Sequence, residues 1–322
     1  MYHFPIYTTM IYKKEVLIMN DTKKAYIATL TQVTIIGFSF MFVKVALEYV
    51  SPLVLLSYRF FFALLASLLP IIIKKVSIEI KPSDILKILP LSLFYPVLFF
   101  GFQSFGLLYS SSTEAGIIIA TAPIFTAILS NIFLKEKTTR MQNLFICFSM
   151  SGIIYISVVN SMQIEGFSIF GTILLILSTI SMAFYNIMSR KLSKTYSYYT
   201  LTFIMTLIGF IIFTVLSIGN YVIDPKAISI IEPLTSPKFL FAIIYLGVFS
   251  SFVSSLLTNY ALSKLEASKV SVFSNLTPII TLFVGVFILS EQINYKHVIG
   301  IAVTIIGVLG TNLFGRKKKK NI

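Results

Sequence analysis

Tryptophan is absent from this chain of 322 residues, cysteine occurs once and histidine occurs twice. A single cysteine, Cys147, excludes a disulfide framework and a cysteine-rich metal site. His3 lies in the N-terminal tail and His297 at an exposed helix start, so the clustered ligands of an intramembrane metalloenzyme are missing. No GxxxxGK(S/T) sequence is present, which excludes a nucleotide-driven motor in this chain. These absences predict a protein that is not an enzyme and has no cofactor.

Charged residues are also scarce, at 12% of the chain against 57% hydrophobic residues, and the mean hydropathy is +0.91. These values lie far outside the range of a water-soluble domain and indicate an integral membrane protein. The net charge of +14 would suit a nucleic-acid partner, but the basic residues form short clusters between apolar runs. Such clusters indicate orientation in a bilayer. We therefore expect contact with membrane lipids and no binding of nucleic acid.

Ten apolar runs divide the chain, and each is about as long as a spanning helix, which needs roughly 18 residues. None shows the alternating pattern of a membrane β-barrel, so we expect helices. The runs cover approximately residues 25–47, 53–73, 85–108, 115–134, 141–160, 168–189, 199–218, 239–262, 270–289 and 298–314. The sequence predicts an all-α integral membrane protein with ten transmembrane helices.

The basic residues predict the orientation of these helices. Ten spans place 21 of the 26 basic residues on one side of the bilayer and three, Lys226, Lys238 and Lys296, on the other. Lys44 and Arg59 lie inside predicted spans and complete the total. Because basic residues are retained in the cytoplasm during insertion, both termini are predicted to be cytoplasmic and the protein to lie in the cytoplasmic membrane.

The two ends of the chain are predicted to lie outside the bilayer. The apolar part of residues 1–18 is short and no small-residue cleavage site follows, so these residues do not resemble a signal peptide. Met19 would be a more ordinary start, and residues 1–24 are expected to form a disordered N-terminal extension. Residues 315–322 are predicted to form a basic cytoplasmic tail, and we interpret its RKKKK run as an anchor beside anionic lipid.

The two halves of the chain share an internal repeat. A shift of 155 residues sets TAPIFTAILSNIFLKEK beside a similar stretch of the second half. The shift pairs residues in order, among them Pro123 with Pro278, Glu136 with Glu291 and Gly152 with Gly307. Each half contains five predicted spans, an odd number, so the second half enters the bilayer from the opposite face. The sequence predicts two inverted five-helix repeats, at residues 25–160 and 168–314.

A specific pattern in the second half has a looser counterpart in the first. The second half contains Tyr260-Ala261-Leu262, Ala267-Ser268, Pro278, Glu291, Gly300 and Gly307. The first half contains Gly37-Phe38-Ser39-Phe40, Lys44, Pro52, Arg59, Leu107, Tyr109, Ser111, Ala115, Pro123, Glu136 and Gly152. Together they resemble the EamA branch of the drug/metabolite transporter superfamily over nearly the whole chain, with Phe145 and Ile36 as departures from a usual glycine and tryptophan. The resemblance implies a secondary carrier that exports or exchanges small organic metabolites, amino acids among them.

Two mid-helix prolines occupy equivalent positions in the halves. Pro123 and Pro278 each remove a backbone donor and free the carbonyl four residues earlier, which would be costly in lipid. We predict that both face a protein interior or a wet cavity and serve as hinges of a rocking carrier. A kink closed by neighbouring packing is the alternative.

Neutral polar side chains lie at about the same predicted depth as these prolines. Buried amides and hydroxyls need partners, so these groups either bond across helices or line a pathway. Bonding between helices is the alternative for any one of them, whereas together they predict a neutral, aromatic-rimmed cavity for an amphipathic or zwitterionic solute. These residues are Ser39, Gln103, Ser104, Tyr185, Asn186, Asn259, Tyr260 and Asn275.

Two cations lie in the outer part of the predicted pathway. Lys44 is within a turn of the outer surface, where it is expected to snorkel or to pair with Glu48. Arg59 lies deeper and cannot lose its proton, so it must find carbonyls, an acid or water. We predict that Arg59 faces the pathway, where it attracts an anionic substrate group or closes an outer gate with Glu48 or Glu114. Snorkelling to the interface is the alternative.

Carboxylates are confined to loops and helix ends in the predicted topology. A proton-coupled carrier normally has one at mid-membrane, so coupling would run through Glu48 or Glu114, through the substrate, or be absent. The sequence therefore predicts a secondary transporter that exports a small-molecule metabolite across the cytoplasmic membrane by alternating access. A non-transporting membrane scaffold and a passive uniporter or channel are the alternatives, and association into a homodimer stays open.

Overall fold

The computed structural model describes residues 6–78, 80–109, 118–119, 121–161, 168–223, 232–277, 279–280, 283 and 295–314. Every regular element within these ranges is helical, and none is a strand. This follows from the composition, because a spanning backbone without water must satisfy its N–H and C=O groups within its own segment.

The first half of the chain begins two of its helices with proline. Pro52 and Pro82 each stand at the first helical position. The backbone N–H at this position has no partner within the helix, so proline loses no hydrogen bond there, and its fixed φ is that of a helix. The helices of this half are α1 (Ile6–Leu47), α2 (Pro52–Ile72), α3 (Pro82–Ser92), α4 (Phe99–Tyr109), α5 (Ala122–Leu129) and α6 (Arg140–Ser161). A π-helical segment, Leu93–Leu98, joins α3 to α4, and another, Ser130–Leu134, extends α5.

The second half repeats this arrangement. Its helices are α7 (Ile169–Leu192), α8 (Tyr198–Ile223), α9 (Pro237–Ile244), α10 (Ser254–Lys264), α11 (Ala267–Val272) and α12 (Tyr295–Leu313). The π-helical segment Tyr245–Val253 joins α9 to α10, a 3-10 turn at Glu232–Thr235 precedes α9, and another at Phe273–Leu276 follows α11. Ser168 and Ser236 cap α7 and α9 with their hydroxyl oxygens, each of which accepts a backbone N–H.

Six of the described helices are long and apolar enough to cross a membrane. They are Asp21–Leu47, Pro52–Ile72, Pro82–Tyr109, Ile169–Leu192, Tyr198–Val222 and Pro237–Lys264. Shorter apolar helices cover Ala122–Leu134 and Val298–Leu313. The described helices therefore belong to a multi-pass membrane protein, while the total of ten spans and the side on which the termini lie stay predictions.

The first helix begins earlier than the first predicted span. α1 starts at Ile6, whereas the sequence predicts no regular structure before residue 25. Its apolar part, Asp21–Leu47, has 27 residues and is about 40 Å long. That length already exceeds a hydrocarbon core of about 30 Å. The preceding turns of α1 are therefore additional to the part needed for crossing.

Equivalent helices of the two halves begin at matching positions. Pro82 and Pro237 open the third long helix of each half and differ by 155 positions. The shift also carries the π-helical segment that ends α3, residues 93–98, onto residues 248–253, which lie within the second π-helical segment. The agreement of starts and interruptions supports the repeat that the sequence predicts.

The crossing of α6 and α12 is symmetric. A Cβ on Gly152 would lie 2.4 Å from Thr304 Oγ1, and a Cβ on Gly307 would lie 2.5 Å from the Cβ of Ser149. Since the higher-numbered residue of α6 meets the lower-numbered residue of α12, the two helices are antiparallel. Ser149 and Thr304 also differ by 155 positions, so these two contacts are equivalent under the repeat. This is the geometry expected of two oppositely oriented copies.

The interior of the protein is built between the halves. α1 packs against α10, α2 against α8 and the Tyr245–Val253 segment, and α4 against α7. In each of these pairs one member comes from each half. The halves are therefore interleaved, and a site at the centre of the bundle contains residues of both.

Candidate functional site

Arg59 is buried inside the bundle, with 3% of its surface exposed. It lies seven residues after Pro52, about 10 Å along the axis of α2. Its Nε donates to Ser251 Oγ at 2.6 Å and its Nη2 to Ser250 Oγ at 2.8 Å, while its guanidinium carbon lies 4.0 Å from the ring centroid of Phe100. The ion pairs among the described residues do not include Arg59. Since a guanidinium has five N–H donors, it retains capacity for a further acceptor.

A glycine brings the two serines to Arg59. Gly247 lies one turn before Ser251, and a Cβ there would be 2.7 Å from the carbonyl oxygen of Arg59 and 2.6 Å from the Cβ of Phe62. The backbones of α2 and the Tyr245–Val253 segment therefore approach more closely than any side chain would permit. This close approach sets the short hydrogen bonds to the guanidinium.

Tyr95 enters the same region because the helix is interrupted at its position. Its backbone is extended, with φ −145° and ψ 117°, and Pro96 after it lacks the N–H for a helical bond. The Tyr95 ring stacks on Tyr185 at 4.4 Å between centroids and lies 5.1 Å from Phe100. Ser255 Oγ lies 3.5 Å from the Tyr95 hydroxyl, to which it donates. The aromatic side chains thus connect Arg59 to α7.

Asn259 is fully buried and uses both ends of its amide. Its Oδ1 accepts from the hydroxyl of Tyr185 at 3.0 Å and from Ser189 Oγ at 2.6 Å. Its Nδ2 donates to Thr202 Oγ1 at 2.9 Å and lies 3.7 Å from the sulfur of Met205. These bonds join α7, α8 and α10 and fix the orientation of the Tyr185 ring.

These contacts form one group of side chains, which we name the central cluster. Its cation is the guanidinium, and around it are hydroxyls, an amide and aromatic rings from both halves. Such groups can bind a carboxylate and the apolar part of a small molecule, whereas no group of three or more metal-ligating side chains occurs among the described residues. The central cluster consists of Arg59, Tyr95, Phe100, Tyr185, Ser250, Ser251, Ser255 and Asn259.

Three predicted pathway residues make other contacts. Ser39 donates to the carbonyl three residues back in its own helix at 2.7 Å. Asn275 Nδ2 donates to Ser149 Oγ of α6 at 2.8 Å. Tyr260 is half-buried and packs edge-on against Tyr198, with 5.3 Å between ring centroids. The contacts of Ser39 and Asn275 are hydrogen bonds within and between helices, the alternative left open above, and the contact of Tyr260 is aromatic packing.

Gln103, Ser104 and Asn186 are buried, with exposed fractions of 8%, 5% and 1%. The amide nitrogen of Asn186 is buried without a hydrogen-bond partner, and so is Oδ1 of Asn275. Buried polar atoms without partners are uncommon, and each calls for an explanation. Because Asn186 adjoins Tyr185 in α7, it stays a candidate for contact with a ligand.

Pro123 occupies the start of α5, directly after a turn at Thr121. The sequence places it about eight residues into a helix, whereas the described helix begins at Ala122. An interruption at this point is compatible with a hinge, which stays a prediction. Pro278, Glu114 and the side chain of Lys44 lie outside the described residues.

Among the described side chains, Glu48 pairs with a cation that the sequence does not predict as its partner. Its Oε2 accepts from Lys238 Nζ at 3.4 Å, and both side chains are about 60% exposed. Arg59 cannot share this acid because its guanidinium is bonded to the serines of the interior. Glu48 therefore does not close a gate with Arg59 in this structure. An exposed pair such as Glu48 and Lys238 contributes little to stability.

A second charged cluster lies where α5 and its π-helical extension end. Arg190 Nε donates to Glu136 Oε1 at 3.1 Å, and its Nη1 donates to the carbonyls of Leu262 and Ser263. Glu136 Oε2 accepts the backbone N–H of Ala267, the first residue of α11. The side chains of the pair are only 10% and 20% exposed. We name these groups the end cluster, which connects Glu136 of the first half to three helices of the second.

Sequence reasoning missed the serines of the central cluster and the pairing of Arg190. The stretch SSFVSS, residues 250–255, places four serines in six positions of an apolar run and is the signal that could have identified them. In the sequence, Arg190 is one of the 21 basic residues that indicate orientation. Its partner Glu136 is 54 positions away, and no local pattern indicates such a contact.

A bundle of membrane-capable helices that encloses a cation and bonded polar side chains defines a class: multi-pass membrane proteins with a polar site inside the bilayer. Comparison with known proteins gives the family. The EamA-like transporter family matches residues 23–158 and 169–313, one segment in each half. The chain belongs to this family and is a membrane transporter.

Relatives cover almost the whole chain. It is 40% identical over 304 residues to the uncharacterized transporter YcxC of Bacillus subtilis (strain 168), spanning 94% of this chain and 97% of that protein. It is 30% identical over 285 residues to an uncharacterized transporter of Archaeoglobus fulgidus, spanning 88% and 97%. A solved crystal structure matches with a TM-score of 0.74 at 14% identity, over 92% of this chain and 99% of that one. This last similarity concerns the fold.

Proposed function

We propose that the protein is a secondary carrier for small organic metabolites that bear a carboxylate, amino acids among them, and that it exports them across the cytoplasmic membrane. The observation that carries this proposal is the buried guanidinium of Arg59, which is bonded to two serines and forms no ion pair with a described acid. A buried charge is costly unless it is paired and hydrogen bonded. A substrate carboxylate would supply the counter-charge in the two-bond geometry that a guanidinium favours.

The aromatic side chains of the central cluster suit the rest of such a substrate. Tyr95, Tyr185 and Phe100 offer ring faces beside the guanidinium. An amphipathic or zwitterionic metabolite has an apolar portion that can pack on these faces while its carboxylate meets Arg59. Asn259 holds Tyr185 in place and acts as a positioning residue.

Alternating access between the halves is the proposed mechanism. The end cluster ties the halves together at one end of the bundle, where Lys264 also bonds Asp21 at 2.7 Å. The exposed pair of Glu48 and Lys238 lies at the other end of α1. Rocking would break the contacts at one end while the other end closes, so that the central cluster opens to each side in turn. Export as the direction follows from the family resemblance.

The proposal is tested by flux through purified protein in liposomes. Preloaded vesicles exchange a panel of labelled amino acids, and saturable exchange is expected for at least one of them. Arg59→Gln should raise the KM of that substrate about tenfold or more, since a hydrogen bond to a charged group contributes roughly 1.5–3 kcal/mol. Lys75→Gln, which removes an exposed cation after α2 that belongs to none of the described ion pairs, is the matched control and should leave the KM unchanged.

The alternatives give different results in the same assay. A scaffold would show no flux above empty vesicles, and a channel would show flux that rises linearly with concentration. Saturable exchange with an unchanged KM in Arg59→Gln would support the proposal of a carrier but would contradict the proposal that Arg59 binds the substrate carboxylate.

A further inference from the structure

A groove lies between α5 and α6 on the side of the bundle, away from the central cluster. Its volume is about 290 Å³. Its lining includes an exposed apolar side chain, Ile128 of α5, which is 53% exposed, and Leu144, which follows the lining residue Asn143 in α6, is 57% exposed. In a protein that spans a membrane such a surface faces lipid. The groove is lined by Ile124, Ala127, Ile128, Asn131, Thr138, Asn143, Ile146 and Cys147.

Polar residues occupy one end of this lining. Thr138 belongs to the connection between α5 and α6, and Asn143 is in the first turn of α6. The walls farther from this connection are apolar, as at Ile124 and Ile146. The groove is therefore amphipathic along its length, with a polar end at the membrane surface and an apolar end within the hydrocarbon.

Three exposed cations lie within three positions of Thr138 at the polar end. Lys135 and Lys137 are exposed on either side of Glu136, whose carboxylate turns inward to Arg190. Arg140 begins α6 and is exposed, and it precedes Asn143 and Cys147 of the lining by three and seven positions. These intervals place the three side chains on one face of the helix.

The carboxylate of Glu136 is thus paired with Arg190 inside the protein, while its basic neighbours remain exposed at the surface. The ion pairs among the described residues include none of Lys135, Lys137 and Arg140. Thr139 Oγ1 donates to the carbonyl of Phe314 at 2.9 Å, so the end of α12 adjoins this connection. The surface at the mouth of the groove is positively charged.

We propose that this groove binds one anionic phospholipid of the surrounding bilayer. Lys135, Lys137 and Arg140 contact the phosphate, Asn131 and Asn143 offer amide groups to the glycerol esters, and one acyl chain lies along the isoleucines. Basic pockets between transmembrane helices are suited to anionic headgroups. The volume lies just below the range of small-molecule pockets, about 300–1,000 Å³, and suits part of one chain better than a soluble metabolite.

The absence of tryptophan allows a direct test in the full-length protein. Leu144→Trp places the single tryptophan of the chain at an exposed position of α6 directly after the lining residue Asn143. Leu69→Trp is the matched control, since Leu69 is 60% exposed and three residues from the end of α2. Each variant is reconstituted in phosphatidylcholine vesicles that contain either brominated phosphatidylglycerol or brominated phosphatidylcholine, and quenching of tryptophan fluorescence is measured. Quenching by the anionic lipid should exceed that by the neutral one about fivefold at position 144 and be equal at position 69.

Charge removal distinguishes a bound lipid from general attraction to the membrane. When Lys135→Gln, Lys137→Gln and Arg140→Gln are added to Leu144→Trp, quenching by the anionic lipid should fall to the level of quenching by the neutral lipid. Three exposed cations elsewhere serve as the control and should leave the preference intact when replaced by glutamine: Lys75, Lys191 and Lys194.

Three results would overturn the proposal. One is equal quenching by the two lipids at position 144. Another is a preference that survives the triple substitution at the groove. The third is loss of quenching by both lipids at position 144 while position 69 is quenched, because a second copy of the protein would then cover the groove.

Discussion

At the scale of single residues, Asn259 orders the central cluster. Its oxygen accepts two hydroxyl hydrogens and its nitrogen donates to a third hydroxyl. Without it, the hydroxyls of Tyr185, Ser189 and Thr202 would lose a buried partner. The Tyr185 ring would also lose the bond that fixes it beside Tyr95. One amide therefore determines the position of an aromatic wall that lies outside its own helix.

Replacing Asn259 with leucine is expected to lower the free energy of unfolding by about 1–3 kcal/mol, since a buried polar group without its partner costs that much. Unfolding of the purified protein in detergent measures the change. Thr34→Ala is the control, because the Thr34 hydroxyl bonds only its own helix at an exposed position, and a change within about 0.5 kcal/mol is expected. Equal losses in the two variants would contradict the role assigned to Asn259.

The chemistry of the site could be predicted from the sequence, but its partners could not. Arg59, Tyr185 and Asn259 are polar residues inside apolar runs, and facing lipid would be costly for each of them. The serines that bind Arg59 are 191 and 192 positions away. The rotation of α2 about its axis determines which residues contact the guanidinium of Arg59. This rotation cannot be predicted from the sequence. The sequence predicts an anionic substrate group, Glu48 or Glu114 as the partner of the guanidinium, whereas its hydrogen bonds among the described residues go to two serines.

At the scale of helices, the two interrupted long helices have different local causes. Pro96 lies in the first interruption and removes a backbone donor. The segment Tyr245–Val253 contains no proline, and Ser254, the first residue of α10, donates to the carbonyl of Ser250 within it. Such back-bonding bends helices. Prolines identify the first kind of interruption from sequence, whereas the second becomes evident only when the helix has been built.

Gly307→Ala is expected to destabilise the protein by about 1–3 kcal/mol, because the new Cβ would overpack the crossing of α6 and α12. The nearest carbon of Ser149 would be only 2.5 Å away. Gly219→Ala is the matched control, since nothing lies within 4 Å of a Cβ in that position of α8. It should be neutral or stabilising by up to about 1 kcal/mol through helix propensity. Unfolding of the purified variants in detergent gives the change in free energy for each substitution. Similar destabilisation by the two would contradict close packing of α6 and α12 at Gly307.

At the scale of the whole molecule, the repeat could be predicted but the interleaving of its halves could not. Paired prolines, glutamates and glycines at a constant shift reveal the duplication. The packing of α1 on α10 and of α4 on α7 depends on contacts between distant segments, which the shift does not specify. The end cluster is also a contact that the repeat does not specify, because Glu136 and Arg190 come from different halves.

The pair of Glu136 and Arg190 should contribute measurably to the closure between the halves. A double-mutant cycle with Glu136→Gln and Arg190→Gln is expected to give a coupling energy of about 1–3 kcal/mol in unfolding, as for contacts in one buried network. The exposed pair of Glu48 and Lys238 provides the matched cycle, with an expected coupling below about 1 kcal/mol. Equal coupling in the two cycles would show that the burial of the end cluster has no energetic effect.

The even number of spans remains the prediction on which the arrangement of the halves depends. The distribution of 21 basic residues against three predicts that both termini lie in the cytoplasm. Replacing Cys147 with serine gives a cysteine-free chain, into which Asn20→Cys, Asn321→Cys or Asp224→Cys is introduced one at a time. A membrane-impermeant maleimide should label position 224 in intact cells, and positions 20 and 321 only after the cells are opened. The cysteine-free chain controls for background, and labelling of positions 20 and 321 from opposite sides would require an odd number of spans. Two five-helix halves of opposite orientation would then be impossible, because ten crossings return the chain to the side from which it started.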